Sequence, residues 1–232
     1  MFETTIRDGV LCWRRDGTRW LSTGWDGGFE TAPVAYSLEV PEGWDRTDVG
    51  EYVDDRLSAT GFDRRGPTLL TGVSMAHARG ARLEPAVAYA TVGLSNPAPL
   101  DAETAFVPDS TDSTPDHAGT VNLLVGTARS LTPAAHANLI AVAAEAKAAT
   151  LLAATGFPGT TTDAVVVGCD PAGEPVEYSG SATAVGSAVR LCVRDAVRAS
   201  LVARYPNGDV PGSVESAEYG VRTDRMATVF EP

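Results

Sequence analysis

Gly119-Thr120-Val121-Asn122-Leu123-Leu124-Val125, then Thr132-Pro133 opening an alanine-rich stretch that stops at Gly156, then Asp163-Ala164-Val165-Val166-Val167-Gly168-Cys169 decide the fold. The first piece is an apolar run of strand length. Thr132 is an N-cap followed by proline at the first helical position, and Gly156 with Pro158 beyond it ends the helix. The last piece is an unbroken apolar strand of the kind buried on both faces. Strand, long helix, strand predicts a βαβ unit with parallel strands. A second helix is expected over Thr183–Arg204, where Val185, Val189, Cys192, Val193, Ala196, Val197 and Leu201 recur at helical spacing.

Upstream, the pattern is one of short strands. Phe2–Arg7 and Val10–Arg14 flank Asp8-Gly9, a hairpin turn signal, and Trp20–Thr23 and Val34–Val40 continue the strand pattern. Between them Gly24-Trp25-Asp26-Gly27-Gly28 is a glycine-rich loop. A helix is expected over Thr47–Thr60, with Thr47 as N-cap and Gly61 as the stop. Thr68–Ser74 and Ala86–Gly93 are further runs of strand length, and Asn96–Gly119 is a polar surface loop, the most mobile segment expected. These elements predict one α+β domain over residues 1–232, a mixed β-sheet backed by helices with the βαβ unit in the second half.

Composition bounds the partners. The formal charge of −12 argues against nucleic-acid binding by a basic face. Carboxylates are scattered, and the 18 basic side chains are arginines except for Lys147, a pattern that fits a salt-adapted cytosolic protein. Carboxylates keep hydration where salt has shortened the range of their repulsion. Cys12, Cys169 and Cys192 form no metal or disulfide pattern and read as reduced core thiols. No signal peptide and no apolar span of about 20 residues is evident, so the cytoplasm is the expected compartment. The sequence leaves a homo-oligomer open.

The one lysine asks for a reason. At about 100° per residue, Leu139, Ala143, Ala146 and Thr150 form one stripe of the central helix, with His136 and Ile140 beside it. Lys147 falls within about 40° of Ala143, whereas Glu145 lies roughly opposite, on the azimuth of Asn138. Neither charge has an opposite partner three or four residues away, which excludes the usual surface pair. Lys147 either snorkels past the core edge or finds a tertiary partner. Gly119-Thr120-Val121-Asn122 and Thr160-Thr161-Thr162-Asp163 are polar starts to the two strands. If those strands are parallel, both starts lie at one sheet end, within reach of Lys147. The alternative for Thr160–Asp163 is local turn chemistry. Open parallel sheets more often carry sites at the opposite end of their strands.

Taken in order, these segments resemble the adenosylcobinamide amidohydrolase family over nearly the whole chain. The resemblance is densest at Gly119–Leu124, Asn138 through Glu145-Ala146-Lys147, Gly159–Asp163, and Tyr178-Ser179-Gly180 leading to Thr183; Leu69–Val73 and Ala90–Asn96 also fit. Thr161 and Ser179 depart from it, since the family pattern tends to glycine and alanine there. The resemblance implies hydrolysis of the amide joining aminopropanol to a corrin propionate of adenosylcobinamide, yielding adenosylcobyric acid in corrinoid salvage for coenzyme B12 synthesis. The partner would be that or a related corrinoid.

Amide hydrolysis needs an activated nucleophile, an oxyanion stabiliser and an acid for the leaving amine. Glu145 or Asp163 could be the base, Lys147 the acid or electrostatic partner, and Asn122 or Asn138 an oxyanion donor. Thr160, Thr162, Ser95 and Asn96 complete the candidate substrate-binding set. No cofactor is expected, the corrinoid being substrate. A metal site is not expected either, because His77, His117 and His136 lack ligand spacing; His136 reads as a satisfied core or first-turn histidine. A threonine or serine nucleophile at Thr160, Thr162 or Ser95 with Lys147 as base is a rival, and a non-catalytic corrinoid carrier or sensor is another. Gly24–Gly28 is either a substrate loop placing an aromatic near the corrin or only a turn.

Overall fold

A computed structural model describes residues 2–41, 44–99, 119–214, 217, 220–221 and 227–231. In chain order the elements are β1 (Glu3–Arg7), β2 (Val10–Ser22), β3 (Gly28–Glu39), α1 (Val49–Ala59), β4 (Thr68–Thr71), β5 (Arg79–Leu83), β6 (Ala86–Val92), β7 (Val121–Thr127), β8 (Ser130–Leu131), α2 (Pro133–Thr155), β9 (Ala164–Cys169), β10 (Pro175–Val176) and α3 (Ala184–Arg204). Eight strands form one mixed sheet in the order β4-β3-β2-β9-β7-β6-β5, with β1 paired to β2. The fold is α+β, as the sequence predicts. Most of the expected polar loop, residues 100–118, lies outside the described residues.

The βαβ unit forms as read. β7 and β9 pair in parallel, Asn122 opposite Ala164 through Thr127 opposite Cys169. Thr132 Oγ1 accepts the Ala135 N–H at 3.1 Å, and Gly156 closes α2 in the left-handed region at φ 79°. Such a cap is worth about 1 kcal/mol. By length and composition α2 could cross a membrane, which qualifies the expectation of no such span. Here its Leu139, Ala143, Ala146 and Leu151 are instead buried with α3 against alternate residues of β6, β7 and β9.

The opposite face carries the aromatic residues. β2 bends at a bulge between Arg14 and Thr18, so its first half, with β3 and β4, folds back across β6, β7 and β9. Trp13 and Trp20 are fully buried there, and Phe2 stacks on Trp13 with centroids 4.3 Å apart. Gly126 and Gly168, directly paired across β7 and β9, make the slot: a Cβ on Gly126 would lie 2.6 Å from Trp13, and one on Gly168 2.3 Å from Trp20. Outside this layer α1 covers Val10, Cys12, Val34, Tyr36 and Leu38.

Several boundaries differ from the sequence reading. β2 is continuous rather than two strands, β3 starts at Gly28, and β5 was not expected. α1 has Asp48 at its N-cap rather than Thr47, and Asp48 makes no capping bond because Arg46 holds its carboxylate. The three cysteines are free and buried.

Candidate active site

β7 and β9 begin side by side, and α2 returns to that same end of the sheet before β9 starts. Asp163, the last residue before β9, and Lys147, two turns before the helix stops, therefore meet. Their side chains form an ion pair and are only 12% and 11% exposed. Asp163 is saturated as an acceptor. Oδ1 takes the Val121 N–H at 2.9 Å and the Thr160 hydroxyl; Oδ2 takes the Thr160 N–H at 3.2 Å and Lys147 Nζ. Gly159 is required beside this knot, since a Cβ there would lie 2.2 Å from Asp163 Oδ2 and 2.6 Å from Lys147 Nζ.

Asn96 and Ser95 join the same edge. Asn96 is fully buried; its Nδ2 donates to Thr161 Oγ1 at 2.6 Å, and its Oδ1 has no hydrogen-bond partner among the described residues. Gly119 backs onto both, because a Cβ there would sit 2.5 Å from Ser95 N and 2.7 Å from Asn96 Oδ1. Thr162 Oγ1 donates to the Gly119 carbonyl at 3.1 Å. Lys147, Asp163, Thr160, Thr162, Ser95 and Asn96 are thus brought together.

The other three candidates lie elsewhere. Strand alternation turns Asn122 to the face opposite Asp163, where Nδ2 donates to the Leu70 carbonyl of β4 at 2.7 Å and Oδ1 is buried without a partner among the described residues. Asn138 is in the N-terminal half of α2, at the far end of the sheet, and donates to Ser179 Oγ at 3.1 Å. Glu145 is exposed on the outer face of α2 and lies 3.8 Å from Arg190 of α3. Arg190 also lines a cleft of 390 Å³ between the two helices, walled by Ala146, Ala149, Ala153 and Arg198. One polar pair escaped the sequence reading: Thr71 and Thr120 hydroxyls meet at 2.8 Å, joining β4 to the start of β7.

His136 is fully buried in the first turn of α2, edge-on to Phe29. It is thus the core, first-turn histidine expected, but its ring nitrogens, which face the backbone of Arg19 and Val167, do not reach hydrogen-bond geometry with any described residue. Burial, helped by the Arg19 charge, pulls its pKa down to about 4. Among the described residues no three His, Cys, Asp or Glu side chains gather as metal ligands.

The profile of the adenosylcobinamide amidohydrolase family matches residues 2–208. The chain belongs to the adenosylcobinamide amidohydrolase family. It is 57% identical over 236 positions, the full length of both chains, to a Halobacterium salinarum protein named adenosylcobinamide amidohydrolase. A Methanosarcina mazei protein of the same name is 27% identical over 209 positions, covering 86% of this chain and 97% of that relative. Within this family frame, the matched region holds every residue of the Lys147–Asp163 cluster.

Proposed function

We propose that this chain hydrolyses the amide between aminopropanol and the corrin propionate of adenosylcobinamide, giving adenosylcobyric acid for corrinoid salvage toward coenzyme B12. The observation that carries the reading is the 57% identity, end to end, with a protein of that name. We take the reaction to be cytoplasmic and independent of a resident metal. The test is to incubate the chain with adenosylcobinamide, before and after dialysis against a chelator. Chromatography of the corrinoid and an assay for free aminopropanol then follow the products. Corrinoid retained but unchanged would establish a carrier instead, and loss of turnover after dialysis would overturn metal independence.

The Lys147–Asp163 edge is the proposed site. At rest Asp163 fixes Lys147 and Thr160; in attack by water it surrenders one of its four contacts and takes the water proton. Lys147 then supplies positive charge to the developing oxyanion or a proton to the leaving amine. The Asn96 carboxamide and the Thr160 and Thr162 hydroxyls suit the amide-rich corrin rim. One observation favours a second route: the Thr160 hydroxyl donates directly to Asp163, the geometry of a nucleophile beside its base. Mass-spectrometric trapping of a corrinoid ester on Thr160 separates this route from direct attack by water.

A further inference from the structure

Three of the four tryptophans lie in the N-terminal strands and the loops between them, but only Trp25 among them projects into solvent. Trp13 and Trp20 are fully buried, whereas Trp25 is 42% exposed. The turn that carries it is closely built. The Thr23 N–H donates to the Val165 carbonyl at 3.0 Å, and the Val165 N–H donates to Thr23 Oγ1 at 2.9 Å. This clamp fixes the loop to the first residues of β9, beside Asp163. The Gly24 N–H donates to Ser22 Oγ at 3.1 Å, and Gly24 lies against Leu69 of β4. A side chain on Gly27 would strike the Ser22 carbonyl at 2.5 Å, so only glycine lets the chain turn back into β3. The indole edge leans on the first turn of α1, 3.5 Å from where a Cβ on Gly50 would stand. The ring is thus set against α1 in a loop that the Thr23–Val165 clamp ties to the sheet end where β9 begins, and it presents open surface there.

We infer that Trp25 is a substrate-binding residue, a platform for a flat π-surface of the corrinoid, either the macrocycle or the adenine of its upper ligand. An exposed, pre-positioned indole gains stacking and burial on contact with such a surface. Little ordering is left to oppose the gain. The inference rests on the hydrolase reading above.

The experiment compares Trp25→Ala and Trp25→Phe with the full wild-type chain in steady-state hydrolysis of adenosylcobinamide. The folded state of each is checked by circular dichroism. Trp25→Ala should raise KM about tenfold with kcat within about twofold, and Trp25→Phe should restore most of the affinity. Dicyanocobinamide binding, measured by equilibrium dialysis, identifies the surface. A loss equal to that for adenosylcobinamide assigns the macrocycle, and a loss for adenosylcobinamide alone assigns the adenine. An unchanged KM in folded Trp25→Ala, or a fall in kcat at constant KM, overturns the inference. Absence of aminopropanol release by the wild type would instead sink the hydrolase reading, and dialysis with both corrinoids would still decide whether Trp25 binds them.

Discussion

Lys147 on α2 is paired with Asp163 at the start of β9, and both charges are nearly out of water. Removing one partner from such a pair leaves an uncompensated buried charge, which costs about 3 kcal/mol or more. Lys147→Met should therefore lower stability by about that amount in urea denaturation. Asp163→Asn in the same background should recover part of it, giving a coupling of about 1–3 kcal/mol. Strict additivity would show that the pair is not energetically joined.

Hydrolysis by folded Lys147→Ala should fall about a hundredfold, the scale of losing one electrostatic donor to a developing oxyanion. Full activity in that variant removes the lysine from the chemistry.

Glu145 should behave differently from Lys147 although only one residue separates them. Its pairing with Arg190 is long and solvent-exposed, so Glu145→Ala should change stability by less than about 1 kcal/mol. Turnover should persist, because the carboxylate sits on the outer face of α2. A loss of activity comparable with that of Lys147→Ala would move the site to the α2–α3 cleft.

Gly159→Ala probes the cluster without removing any functional group. The methyl group must displace Asp163 or Lys147, so activity should drop strongly. Gly208→Ala, in open space at φ 79°, should leave turnover alone and cost only local backbone strain. Equal turnover in the two variants would contradict the role given to the ion pair.

The burial of His136 predicts an acid-sensitive fold. Its folded value of about 4 lies below the 6.5 of an unperturbed histidine, so between these values the unfolded chain binds more protons. Its contribution is complete above pH 6.5 and is lost as pH falls toward 4, amounting to about 3 kcal/mol at most. Between pH 7 and pH 4 wild-type stability, read from denaturation midpoints, should fall relative to that of His136→Leu by about that amount; a difference that stays constant with pH refutes the assignment.

The ends of α2 were legible because capping is local: Thr132, Pro133 and Gly156 each act within one turn. The meeting of Lys147 with Asp163 was legible too, since parallel strands put both starts at one end. What the chain could not disclose was register and distance. Asn122 faces away from Asp163 only because it pairs with Ala164, and no local signal sets that pairing. Asn138 shares a helix with Lys147 but stands nine residues earlier, about 13 Å along the axis. The saturation of Asp163 depends on Val121 and Thr160 together, one from each strand start. The cap at α1 moved because Arg46 competes for Asp48, a choice between two adjacent polar residues that propensity does not resolve.

The hydroxyl contact between Thr71 and Thr120, the hydrogen bond that Asn122 Nδ2 donates to the Leu70 carbonyl and the clamp of Thr23 on Val165 draw the N-terminal strands onto the start of the βαβ unit. That unit can assemble from neighbouring sequence, but its polar end is completed only by segments that lie far away along the chain. Long-range closures of this kind come late in folding and open as one with the whole molecule. A partly folded chain would hold a finished helix and a pair of strands yet have no place for substrate. The amide of Val121, bonded to a carboxylate rather than to a neighbouring strand, should exchange with deuterium at the rate of global unfolding and so time the site's completion.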